Sequence, residues 1–185
     1  MSPASLLHGL LRLLPGLLLL ALAAAPAPAQ PTEAAVKAAF IPKFARYVQW
    51  PPGAQPGPRQ AFQLCVIGRD PFGPLLDQAA ASELIEGRAV AVRRLASTEG
   101  AAGCHLAFVR GGTPQDTASF LLALRGQPIL TITDGRAGPQ RGMIHFTVAA
   151  GRVRFFIDEA AAAETRLAIS SRLLALALGV RQRRT

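Results

Sequence analysis

Hydrophobic positions change their spacing along the chain, and each change of period predicts a change of element. Ile144, Phe146 and Val148 alternate with polar positions, and so do Val153, Phe155 and Ile157, the period-2 signature of two strands. Pairing Val148 with Val153, Phe146 with Phe155 and Ile144 with Ile157 puts both sets on one core face. A one-residue slip would set them against Arg152, Arg154 and Thr147. A two-residue turn would force Ala150 to positive φ at a cost of roughly 1 kcal/mol. The expected loop therefore has four residues, Ala149 to Arg152, with Gly151 taking any left-handed position. The opposite face carries Met143, His145, Thr147, Arg154 and Phe156. Either it lies under the last helix, or Met143, His145, Arg154 and Phe156 form an exposed contact patch.

Elsewhere the period is helical or the apolar run is continuous. Val36, Phe40, Phe44, Tyr47 and Val48 form a helical stripe from Glu33 to Gln49, with Thr32 as N-cap. Pro42 removes one donor and predicts a kink near Ile41 or two short helices. Ala61 to Gly68 reads as a buried strand. Asp70 then caps a helix with Pro71 at its first position, running to about Ala81. Strands follow over Arg88 to Leu95 and His105 to Arg110. Thr113 and Pro114 start a helix to about Arg125, and Gln127 to Thr133 is another strand. Asp158 caps Glu159 to Thr165, and Ser170 caps Ser171 to Leu178, with Gly179 as the stop. The last helix is apolar over so wide an arc that it must be buried on two sides or dock on a second molecule. The sum is an α/β fold, a mixed sheet of about six strands flanked by helices, with a C-terminal β-hairpin and helical pair.

Targeting and charge narrow the class. Arg12, the apolar run Leu13 to Ala25 and the small-x-small step Ala27-Pro28-Ala29 read as a signal peptide cleaved after Ala29. The run is shorter than the roughly 20 residues of a membrane anchor. Removal leaves 185 − 29 = 156 residues, 30–185, the size of a single domain. One of the 20 basic residues and none of the 11 acidic ones leave with the signal, giving 19 − 11 = +8. An exported protein does not meet nucleic acid, so this excess is a solvated basic surface or an attraction to an acidic partner. Cys65 and Cys104 are the two cysteines. In an oxidising compartment they suggest a disulfide worth roughly 4 kcal/mol; the alternative is two buried thiols that never meet.

Candidate chemistry is sparse. Gly68 and Gly73 have the spacing of a phosphate-binding loop, but Pro74 stands where a lysine is needed. The backbone donors after Gly112 remain as a weak anion site. His105, His145, Cys65 and Cys104 offer no short-range ligand pair for a metal, and adjacent Cys104 and His105 point to opposite faces of a strand. No G-x-S-x-G motif is present, Ser170 and Ser171 read as caps, and no carboxylate pair suits glycoside chemistry. No catalytic residues, cofactor or metal are assigned, and a binding protein is expected.

The blocks AAFIPKFARYVQWP (Ala38 to Pro51), LCVIGRDPFGPLLD (Leu64 to Asp77), VRRL (Val92 to Leu95), GCHLAFV (Gly103 to Val109), GMIHFTVAAGRVRFFID and ISSRLL occur in this order over nearly all of the region after the signal. In this the chain resembles YfiR-type periplasmic regulators. The resemblance implies a non-enzymatic repressor of an inner-membrane diguanylate cyclase, acting on the cyclase's periplasmic part. It also implies an outer-membrane lipoprotein able to sequester the repressor, a homodimer, and a bridging cysteine pair at Cys65 and Cys104. Pro42 stands where an aromatic is frequent in such proteins and Phe156 where a polar residue is common, and no second cysteine pair is present. An alternative function is a periplasmic small-ligand sensor feeding a histidine kinase or transporter, with the loops after Gly68 and Gly111 lining the site.

Overall fold

The computed structural model describes residues 30–182, so the expected signal peptide, residues 1–29, lies outside the described residues. In chain order the elements are α1 (Glu33–Phe44), β1 (Val48–Gln49), β2 (Phe62–Gly68), α2 (Pro74–Ala81), β3 (Leu84–Ile85), β4 (Arg88–Leu95), β5 (Leu106–Arg110), α3 (Pro114–Ala123), β6 (Leu130–Asp134), β7 (Ile144–Ala149), β8 (Arg152–Asp158), α4 (Glu159–Glu164), β9 (Ala168–Ile169), α5 (Ser171–Leu174) and β10 (Gly179–Arg181). One eight-stranded sheet has the order β10-β8-β7-β6-β5-β2-β4-β3, and β1 and β9 form a separate ribbon. The pairings from β4 through β2, β5 and β6 to β7 are parallel, as is β10 with β8, while β3–β4 and β7–β8 are antiparallel. The class is the mixed α/β sheet expected. The strand count exceeds six chiefly because β3 and β10, of two and three residues, are too short to show a period.

The sheet has an apolar cluster on each face. The larger joins Leu64, Leu106, Ile132, Ile144, Phe146 and Phe155 to α1, α2, α4 and α5. The smaller holds Cys65, Ile67, Ala107 and Val109 against Leu124 and Ile129, with Phe120 and Leu121 of α3 beside them. The crossovers through α2 and α3 therefore leave the adjacent strands β2 and β5 toward opposite faces. That divergence opens a crevice at the carboxyl ends of those strands. At the same end Gly68, with φ +88°, brings its backbone so near β5 that an added Cβ would lie 2.2 Å from the Arg110 carbonyl oxygen.

Several local expectations change. The hairpin register is as read, with Phe146 opposite Phe155, but Ala149 also pairs with Arg152. The turn is thus the two-residue one, with φ +49° at Ala150 and +70° at Gly151. One more cross-strand pair, and a turn whose twist matches the strands, offset the strain at Ala150. The helix α1 continues through Pro42 and then tightens into a 3-10 turn over Ala45–Tyr47. Pro42 forfeits the bond its amide would make to the Ala38 carbonyl, and burial of Ile41 and Phe44 in the core holds the segment helical despite that loss.

At α2, Asp70 Oδ1 accepts from the Phe72 and Gly73 amides at 2.7 and 3.2 Å. This local turn displaces the helix start to Pro74, with Gly73 as N-cap. The donors after Gly112 are not a free anion site: the Thr113 amide donates to Asp116 Oδ2 at 2.9 Å within a capping box. Finally α5 stops at Leu174. The Leu178 amide instead donates to the Phe155 carbonyl at 2.7 Å, and the following residues extend the sheet as β10. Pairing with β8 satisfies their backbone, which explains why the apolar C-terminal run is not one long helix.

Candidate partner surface

Pairing registers align Thr133, His145, Phe156 and Gly179 in one row across β6, β7, β8 and β10. The Thr133 hydroxyl accepts from the Gly142 amide at 2.9 Å and lies 2.9 Å from His145 Nδ1, to which its own hydrogen can be donated. His145 is buried, and its pKa lies below the ordinary histidine value because of that burial and the nearby Arg141. Phe156 is half-buried: the Arg141 guanidinium sits 5.2 Å from its ring centroid. A Cβ at Gly179 would come within 3.1 Å of the same ring. Arg154 is exposed opposite Thr147.

Of the four residues read as a contact patch, the structure therefore brings Arg154 and Phe156 to the surface. Met143 and His145 are inside, Met143 in the larger apolar cluster. The side chains that reach solvent here are Phe156, Arg141 and Arg154, while His145 is buried. The last helix does not cover the row; β10 flanks it instead.

The face read as wholly core is core only at its base. Ile144, Phe146, Phe155 and Ile157 are buried, but Val148 at the tip is 51 % exposed and Val153 is half-buried. Phe40 of α1 packs on Phe146 and Phe155 with ring centroids 6.5 and 6.3 Å away, yet stays 37 % exposed. Leu178, 42 % exposed, is tied to Phe155 by its backbone bond. Phe40 and Val153 thus flank the Phe146–Phe155 pair, with exposed Val148 opposite Val153 in the ladder and exposed Leu178 beside Phe155 along the backbone. The alternation of the hairpin gives no sign of this, because exposure at the tip depends on how far α1 and the C-terminal segment reach along it.

Cys65 and Cys104 are bonded, with Cα atoms 5.9 Å apart. Cys104 belongs to the smaller apolar cluster, while the neighbouring His105 ring packs beside Trp50 and Phe62, so the adjacent pair does face opposite ways. Among the described residues no three His, Cys, Asp or Glu side chains are grouped to hold a metal ion. Among them, too, no helix is long and apolar enough to cross a membrane.

A family model described as YfiR/HmsC-like matches residues 34–178, from the first turn of α1 to the exposed Leu178. The chain belongs to the YfiR/HmsC-like family. Membership points to a regulatory role in cyclic-di-GMP signalling from the periplasm rather than to catalysis. The matched span contains both faces of the hairpin and the disulfide. No curated protein matches the chain significantly.

Proposed function

We propose that this protein is a periplasmic repressor that binds the periplasmic part of an inner-membrane diguanylate cyclase and lowers cyclic-di-GMP output. In this reading it is exported with cleavage after Ala29, can pair as a homodimer, and is released from the cyclase when an outer-membrane lipoprotein sequesters it. The observation that carries the reading is the apolar end of the hairpin. Among the described residues, exposed Phe40 packs on the buried Phe146–Phe155 pair, exposed Val148 lies two residues along from Phe146 on the same strand, and exposed Leu178 is bonded through its backbone to Phe155. Arg154 lies on the reverse face of the same hairpin and Arg141 stacks on Phe156 of that face, so a partner that reaches around to it gains from acidic residues there. Family membership supplies the signalling context.

Deleting the gene raises cellular cyclic-di-GMP, and the wild-type copy restores it to the parental level. Val148→Asp places a charge at an exposed site, so the variant keeps its thermal midpoint yet fails to restore repression. Phe156→Asp tests the reverse face in the same assay: a folded variant that no longer represses assigns that face to the contact. Unchanged cyclic-di-GMP on deletion, with the cyclase expressed, overturns the proposal.

A further inference from the structure

At the carboxyl ends of β2, β5 and β6 lies a cavity of about 130 Å³, separate from both hairpin faces. Its walls are the start of α1 (Glu33, Ala34, Lys37), Pro71 and Phe72 after β2, Arg110 at the end of β5, and Asp134 and Arg136 at the end of β6. It belongs to the crevice that opens where the crossovers diverge, the place where open α/β sheets bind ligands.

The charges around it are unequal in how they are satisfied. Lys37, only 4 % exposed, donates to Asp134 Oδ2 at 2.8 Å and pairs with Glu33 at 2.5 Å, so one cation holds both carboxylates of the wall. Asp134 is fixed further by the Arg136 amide, which donates to its other oxygen at 3.1 Å. Arg136 itself reaches Glu33 only at 3.8 Å, and no described carboxylate lies within salt-bridge distance of Arg110. The contrast with Arg94 at the end of the neighbouring β4 is informative, since that guanidinium meets Asp70 at 2.7 Å and Asp77 at 2.6 Å. The wall therefore carries three cations against two carboxylates, one positive charge in excess, with a half-buried guanidinium left to face the cavity.

We infer that this cavity binds a small monoanionic carboxylate, held by Arg110 and Arg136 with its carbon chain against Phe72. A guanidinium matches a planar carboxylate through two parallel hydrogen bonds. The apolar wall is rigid: Phe72 is buried and packs edge-on to Phe108 at 4.7 Å. The recess is small. It holds only a few water-sized groups, which suits the carboxylate end of a small acid of about two to four carbons. The site stands independently of the partner surface, and its occupant would act by stabilising the junction of α1 with the sheet.

The test uses the protein purified from the periplasm in a chloride buffer free of carboxylate and phosphate. Acetate, propionate and butyrate are titrated against sodium chloride of equal ionic strength, with inorganic phosphate as a separate arm. Near saturation the carboxylates raise the melting temperature by about 2–4 °C, and calorimetry shows one site per chain. Arg110→Gln weakens the affinity about tenfold or more, and Arg136→Gln, at an exposed position, weakens it less, while Arg154→Gln on the hairpin leaves it unchanged. No carboxylate effect beyond that of chloride overturns the inference, as does an Arg110→Gln variant that responds like the wild type. Stabilisation by phosphate but not by the carboxylates overturns the assigned ligand class.

Discussion

His105 Nδ1 accepts a hydrogen bond from the Gln63 amide at 2.9 Å, so this nitrogen must be unprotonated in the folded chain. His145 is held in a similar way by the Thr133 hydroxyl at 2.9 Å. Burial lowers the pKa of both rings below the ordinary value of 6.5. The sign of the consequence follows from proton counting. As pH falls through about 6.5 the unfolded chain binds protons that the folded chain refuses, so stability declines with falling pH until the folded values are reached. The lowered carboxylate, Asp77, starts from an ordinary value of 3.8 and loses its contribution only in more acid solution. Urea midpoints measured between pH 8 and about 5 should therefore decrease below pH 6.5, and replacing His105 and His145 by glutamine should flatten that decrease. Neither role is visible in the sequence, where both histidines stand among apolar strand residues with no partner nearby in the chain.

At the scale of an element, the hairpin shows how a local strain is carried. Ala150 holds φ +49° in a two-residue turn. Ala150→Gly should stabilise the protein by up to about 0.5 kcal/mol, the left-handed penalty less the added chain entropy, measured as a higher denaturant midpoint at unchanged slope. Four loop residues were expected because the cost at Ala150 is readable locally, while the gain from the Ala149–Arg152 pair is not. Phe146 sits at the other extreme, fully buried and in contact with Phe40, Phe44 and Phe155. Phe146→Ala should cost roughly 3–5 kcal/mol, whereas Val148→Ala, two residues along the same face, should change stability by less than about 1 kcal/mol. Alternation placed these two side chains on one face; it could not say that only one of them is covered.

For the whole molecule, the disulfide joins β2 to the segment just before β5 across a sequence separation of 39 residues. Replacing both cysteines by alanine should lower the unfolding free energy by about 2–5 kcal/mol, read from denaturant curves. The loss should appear in global unfolding, since Cys65 and Cys104 lie within the smaller apolar cluster beside Ile67 and Val109. The basic excess is likewise distributed unevenly in function. Arg94 is spent on two carboxylates, whereas Arg110 and Arg154, like several other described arginines, meet no described carboxylate.

The sequence by itself determined what depends on neighbours along the chain. The period of two fixed the hairpin register, because a one-residue shift would turn every side chain to the wrong face. Thr32, Thr113, Asp158 and Ser170 announced helix starts through side chains that reach amides a few residues away. The blocks that run through these elements pointed to the family. Tertiary structure decided what depends on residues far apart. It buried Lys37 against Asp134 across 97 positions. It turned Gly179–Arg181 into a strand by offering the edge of β8, and it left the tip of the hairpin uncovered where α1 and the C-terminal segment end. Exposure and long-range pairing are properties of the assembled sheet, and a pattern of neighbours along the chain does not contain them.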